Sequence, residues 1–291
     1  MATKQTPLHN EYSANSAKEN DAKAETLAPE NFFPPQISRY ERCGNIREAE
    51  KLQFYEPLHG SVIYSAFLDY RFKEQTFIRM ISILPSYGEP TQMYCHFMDS
   101  RTQQYFTSVV EIEELGTNEG FAYQGFVSSC DLPEEIDGYI LCSVNISVEP
   151  EANRQTNKNT KEIPINVLDH RENTETYGLC VPPITGEISV ARLVEFIELS
   201  RLLGVSHFTF YTSKATGKTL DVLRYYRGKG LLSIYPWELP YYIASNVQDN
   251  GQTAALNDCL YRNMGKFNYV AFNNLDEFIV SIQDKTTLQS L

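Results

Sequence analysis

The chain has 291 residues, 42% hydrophobic and 12% aromatic, with 37 Asp+Glu against 25 Lys+Arg and a formal net charge of −12. With no Lys/Arg-rich run to offset that charge, a groove that tracks nucleic-acid phosphates is excluded. No apolar run reaches the roughly 18 residues of a membrane-spanning helix, and the polar first thirty residues show no hydrophobic signal segment.

In chain order, residues 1–35 are dominated by Ala, Lys, Glu, Asn and Thr and read as a disordered tail, with FFPPQ at 32–36 marking the passage to ordered chain. From about residue 50 the pattern turns to β: SVIYSAFLDYR (61–71), TFIRMISIL (76–84), TQMYCHFM (91–98), FTSVVEIEE (106–114) and GYILCSVNISV (138–148) are short runs rich in Val, Ile, Tyr and Phe. Polar or Gly/Pro turns separate them and no helical period intervenes, so residues 36–170 are expected to form an antiparallel, sandwich-like β domain. EPEANRQTNKNTKE (149–162) reads as an exposed loop.

Over 171–291 the rhythm changes. GLCVPPI (178–184) is a buried strand, followed by a helix with Val190, Leu193, Val194 and Ile197 on one face and Gly204 at its end. VSHFTFYT is a second strand, GKTLDVLRYYRGKG a second helix and LLSIYPW a third strand. A third helix then carries Leu256, Cys259, Leu260 and Met264 on one face, and FNYVAFNN is a fourth strand. Strand and helix in alternation imply a parallel sheet with right-handed crossovers.

The cysteines are Cys43, Cys95, Cys130, Cys142, Cys180 and Cys259. No CxxC pair suggests zinc, while the even number and the sequon at Asn145 point to the secretory pathway. Cys180 and Cys259, on the first parallel strand and the last helix, are either a disulfide or two buried thiols.

Asn274, Leu275, Asp276 and Glu277 follow the fourth strand directly. In an open parallel sheet, ligands bind beyond the carboxyl ends of the strands. A carboxylate there can hold a hard cation whose shell is completed by ligand phosphates; its bland counterpart is a turn former or helix cap. In an extended segment Asn274 and Asp276 share one side and Leu275 turns toward packing. A GxGxxG fingerprint, a GxxxxGK[ST] loop and a GxSxG elbow are all missing, which argues against the common dinucleotide, P-loop and hydrolase sites.

CVPPITGE, VEFIELSRLLGVSHFTFYT, GQTAALNDCLYR and YVAFNNLDEFIV, in that order, resemble glycosyltransferase family 92, the animal and plant group that includes galactosyltransferases. The resemblance is close over 177–291 and looser over VIYSAFLDYR and the β region. It implies a GT-A fold, with a Rossmann-like, mostly parallel sheet over 171–291 forming the nucleotide-sugar-binding half. The family's acidic motif runs Asp-x-Asp-Glu; Asp276 and Glu277 match its last two positions, while Asn274 replaces its first Asp and keeps an oxygen but no charge.

The resemblance further implies transfer of a hexose from a UDP-sugar, with UDP-galactose the expected donor, to a glycan hydroxyl with inversion. It implies Mn²⁺ held through Asp276 and Asn274, and residence on the lumenal side of the Golgi membrane through an anchor absent from this chain. Nucleotide-sugar contacts are expected from Thr185, Gly186, Tyr211, Gln252, Asn274, Asp276 and Glu277. No residue presents itself as the catalytic base, which is expected in later strands, so the chain reads as C-terminally incomplete. The alternative is a non-catalytic glycan-binding or scaffold protein.

The same residues have plainer readings. Thr185 and Gly186 also suit an ordinary strand-to-helix loop, Tyr211 core or rim packing, and Gln252 a surface helix start. Asp258 is read as a brace for the motif strand, His207 as structural, and Trp237 as packing under a loop or stacking on a sugar.

Overall fold

The computed structural model describes residues 54–280 apart from 73–74, 89–90, 100–103, 118, 135, 137–140, 152–161 and 168–174. The expected tail over 1–35, Cys43 and most of the 149–162 loop lie outside the described residues.

The first sheet has nine strands: β1 (Tyr55–Leu58), β2 (Ser61–Asp69), β3 (Phe77–Pro85), β4 (Tyr94–Met98), β5 (Tyr105–Val109), β6 (Glu111–Glu114), β7 (Tyr123–Asp131), β8 (Ser143–Ser147) and β9 (Ile163–Val167). Their order is β5-β4-β8-β9-β2-β3-β7-β6, with β1 alongside β2. The expectation of a purely antiparallel domain needs correction. β9 pairs antiparallel with β8 but parallel with β2, through Ala66↔Ile165 and Leu68↔Val167, so the sheet is mixed.

β2 is buried along its whole length, which is why apolar residues occupy both of its faces, and its polar Ser65 and Asp69 are each hydrogen-bonded. A register shift against β3 between Ile63 and Ser65 inverts which residues face which side. Ile63, Ala66 and Leu68 enter a core with Met80, Phe97 and Ile146, while Val62, Tyr64 and Phe67 face a second core.

The second sheet is built from β10 (Glu175–Thr185), β11 (His207–Ser213), β12 (Leu232–Pro236) and β13 (Phe267–Phe272), in the order β12-β11-β10-β13. Every neighbouring pair is parallel, as the strand–helix alternation requires. The helices are α1 (Val190–Leu202), α2 (Gly217–Gly228), the short α3 (Tyr241–Ala244) and α4 (Gln252–Asn263). On one face of this sheet, α1 and α2 bury Leu193, Phe196, Ile197 and Leu223 against Leu179, Val181, Phe208 and Phe210. On the other face α4 lies between the two sheets, with Ala254, Ala255 and Cys259 in the core that Val62, Tyr64, Phe67 and Ile83 enter from the first sheet.

The open choice at Cys180 and Cys259 resolves as a disulfide, Cα–Cα 6.0 Å across 79 residues of chain, pinning α4 to β10. Cys95 and Cys130 form another, across the first core. Replacing Cys180 and Cys259 together by Ala should lower unfolding free energy by about 2–4 kcal/mol. Denaturant titration of the oxidised protein measures this, and an unchanged midpoint would show that the bridge constrains nothing.

Candidate functional site

The carboxyl end of the parallel sheet gathers most of the residues singled out in the sequence. β10 ends at the exposed Thr185. Gly186 follows at φ +73°, in the left-handed region that glycine occupies without strain, and its N–H donates to Ser213 O at 3.1 Å. That turn releases the chain into α1. Ile188 N–H donates to the buried Thr219 Oγ1 at 2.7 Å, tying this loop to the start of α2.

β13 is the neighbouring strand and ends lower, where Asn273 N–H donates to Cys180 O at 3.2 Å. Residues Asn274 to Glu277 then form a tight turn. Glu277 N–H donates to Asn274 O at 3.1 Å, and the Glu277 carboxylate accepts from Asn274 N–H at 2.8 Å. Leu275 and Phe278 pack on the α1 layer, Phe278 at 5.8 Å from the Phe196 ring. Asn274 and Asp276 are both exposed. Their outward placement comes from this turn rather than from the alternation of an extended strand.

Asp276 keeps 64% of its side chain exposed, and its Oδ2 accepts from Arg192 NH2 at 2.9 Å. Arg192 is the third residue of α1, so the ion pair sets Asp276 beside the helix that leaves the carboxyl end of β10. No sequence pattern links two residues 84 positions apart. As metal ligands, Asp276 and Asn274 supply two hard oxygen donors, one of them charged, open to solvent. Among the described residues no cluster of three or more His, Cys, Asp or Glu could hold a metal ion. The pair therefore fits a hard divalent cation that brings further oxygen ligands with it, as a metal–diphosphate does.

Tyr211 is closed off from any ligand. Tyr211 is fully buried, and its hydroxyl donates to Asp258 Oδ2 at 2.5 Å. Burial first, and then the Asp258 charge, push its pKa well above the usual tyrosine value, so it stays a neutral donor. The expectation that it meets a base or ribose is corrected: β11 runs on to Ser213, so Tyr211 lies inside the sheet rather than at its end. Gln252 opens α4 half-buried, after Asp249, Asn250 and Gly251 all at positive φ. A Cβ on Gly251 would come within 2.8 Å of Ile83, so that turn presses on β3.

Asn145 lies within β8 opposite His96 and is 7% exposed. A glycan on Asn145 would have to displace the packing that buries this side chain in the folded sheet. Trp237 is fully buried and donates Nε1–H to Asn250 O at 2.8 Å, so it packs beneath the loop. His207 bonds Ser233 through Nε2 at 3.0 Å, a structural role.

Beneath the site lies a buried ionic network. Asp258, fully buried, accepts from Ser65 Oγ at 2.5 Å, Tyr211 OH at 2.5 Å and Arg262 Nε at 2.6 Å. The Arg262 guanidinium lies 4.4 Å from the Tyr235 ring centroid and 5.5 Å from that of Phe67. The register shift in β2 is what turns both Tyr64 and Ser65 toward this core, so the network joins the two sheets through α4. Asp258 thus braces β2 and β11 through α4 rather than the motif strand β13, a correction to the sequence reading, which also missed Ser65, Tyr211 and Arg262 as its partners. Asp258 and Arg262 stand at i,i+4 on one helix, which is the legible part of the signal.

Residues 175–291, the parallel sheet with its helices and the Asp276 turn, match the family model described as glycosyltransferase family 92. The Beta-1,4-galactosyltransferase galt-1 of Caenorhabditis elegans is 31% identical over 189 residues, covering 62% of this chain and 43% of that protein. That likeness is longer than the family-92 segment, so it extends back into the nine-stranded sheet. A glycosyltransferase family 92 protein of the same organism is 26% identical over 111 residues, covering 35% of this chain and 22% of its own length. The chain therefore spans less than half the length of these curated relatives. A solved ferredoxin-NADP+ reductase of Plasmodium falciparum aligns over 74% of this chain and 94% of its own at 11% identity, with a TM-score of 0.17 that carries no argument.

Proposed function

We propose that the chain belongs to a galactosyltransferase that moves galactose from UDP-galactose to a glycan hydroxyl with inversion, on the lumenal side of the Golgi membrane. The observation that carries this reading is the 31% identity over 189 residues to a protein named as a β-1,4-galactosyltransferase. The Cys95–Cys130 and Cys180–Cys259 disulfides agree with an oxidising compartment.

In this reading, Asp276 and Asn274 would hold Mn²⁺ together with the donor diphosphate, and the metal would supply Lewis-acid neutralisation of charge on the UDP leaving group. Glu277 keeps the turn closed by accepting from Asn274 N–H, which holds the two oxygen donors outward. Thr185 and the open space beside Gly186 offer a surface where backbone can approach a nucleotide closely. Inversion needs a base to take the acceptor hydroxyl proton; no residue of this chain is assigned to it.

The test is donor binding and turnover by the 291-residue chain. UDP-galactose should bind this chain only with MnCl₂ present, and UDP release is then read against a panel of galactose- and N-acetylglucosamine-terminated glycans. Absence of both UDP binding and UDP release across UDP-hexoses would sink the reading. Asn274→Asp adds a charge at the metal position and should tighten Mn²⁺-dependent UDP binding several-fold, by roughly 1 kcal/mol for a partly exposed charge.

A further inference from the structure

Arg192 is oddly placed for a residue that serves stability alone. It sits in the first turn of α1, where a cation opposes the helix dipole and where no acidic residue compensates it. It pairs with Asp276, the two side chains 52% and 64% exposed. Exposed pairs of that kind contribute about 0–1 kcal/mol, and a position against the dipole costs a similar ~0.3–1 kcal/mol. The pair contributes little net stability, and it is easily exchanged for another partner.

Its position gives the exchange a direction. The Arg192 guanidinium occupies Oδ2 of the carboxylate that also suits a divalent cation. While it stays there, a cation arriving alone meets a positive charge at its own ligand. A diphosphate arriving with the cation offers the planar guanidinium two phosphate oxygens for a bidentate pair, where Asp276 gives it one carboxylate oxygen.

We propose that Arg192 is a diphosphate-responsive cation: it holds Asp276 in the ligand-free chain and, when a metal–diphosphate binds, passes Asp276 to the metal and takes a phosphate oxygen. No covalent bond changes in this exchange; one ion pair is replaced by two. The proposal rests on the UDP-sugar reading for the identity of the ligand, but its physical content is the metal–diphosphate unit. It makes metal and diphosphate bind cooperatively, because each removes the charge that impedes the other.

Isothermal titration of the 291-residue chain with MnCl₂ alone, with pyrophosphate plus MnCl₂, and with UDP plus MnCl₂ tests it, using wild type, Arg192→Ala and Arg192→Lys. Alanine suits an exposed helical position, so the fold should persist. Arg192→Ala should bind Mn²⁺ alone as tightly as wild type or a few-fold tighter, yet bind Mn²⁺–pyrophosphate roughly tenfold more weakly, with Arg192→Lys between the two. Unchanged pyrophosphate affinity, or equal weakening of Mn²⁺ alone, overturns the proposal. Wild-type binding of Mn²⁺–pyrophosphate without binding of UDP leaves the Arg192 exchange standing and overturns the donor reading. Failure of wild type to bind either ligand with Mn²⁺ overturns both.

Discussion

Asp258→Ala should lower the stability of the fold by about 3–5 kcal/mol, the usual penalty for removing one partner of a buried pair. The substitution leaves the Arg262 guanidinium enclosed with its carboxylate gone, and it strands the Ser65 and Tyr211 hydroxyls that donate to the same group. The three donors at 2.5–2.6 Å are what offset desolvation of the carboxylate in the native state. The decisive comparison is with Asp258→Leu combined with Arg262→Met, which removes both charges and should recover most of the loss. Urea unfolding with a tryptophan fluorescence readout suits the measurement, because Trp237 lies 5.5 Å from the Tyr211 ring in the same core. A single variant within 1 kcal/mol of wild type would mean that the network contributes little to joining the sheets.

The parallel sheet was legible because its signal is redundant. Apolar runs such as HFTFYTS alternate with helices whose buried positions recur at helical spacing, and glycines such as Gly204 close them. The mixed pairing of the first sheet was not legible. β9 is five residues with a proline in second place, IPINV, and nothing local to it specifies a parallel neighbour 100 residues away. Nor does the register shift in β2 leave a local mark, although it decides that Ser65 reaches Asp258. The site divided along the same line. Asp276 could be placed because a polar step after an apolar run marks the carboxyl end, although β13 proves to be an edge strand exposed over much of its length rather than a buried one. Tyr211 was misplaced because reading it as the edge of its strand, when β11 runs on to Ser213, turns a core tyrosine into a rim one. Arg192 was invisible because its meaning depends on a contact that only the folded chain makes.

Asp276→Ala should abolish Mn²⁺-dependent UDP binding while leaving the fold intact. The two halves of that expectation rest on different facts. The carboxylate is 64% exposed and joined to the protein by one exposed ion pair, so its loss should shift stability by no more than about 0.5 kcal/mol. The turn itself survives, because it is closed by Glu277 on Asn274 and anchored by Leu275 and Phe278, none of which involves the Asp276 side chain. Binding is another matter. Of the two proposed oxygen donors, Asp276 alone carries charge, and a neutral amide holds a hard cation weakly without it. UDP affinity in MnCl₂ should fall at least a hundredfold, toward the value seen with chelator present. Asp276→Asn separates charge from shape: it keeps the oxygen geometry and should lose nearly as much. Titration calorimetry, run beside a thermal melt of each variant, reads both halves at once. Affinity that persists in Asp276→Ala with an unchanged melt would make this acidic turn a connection between elements and nothing more.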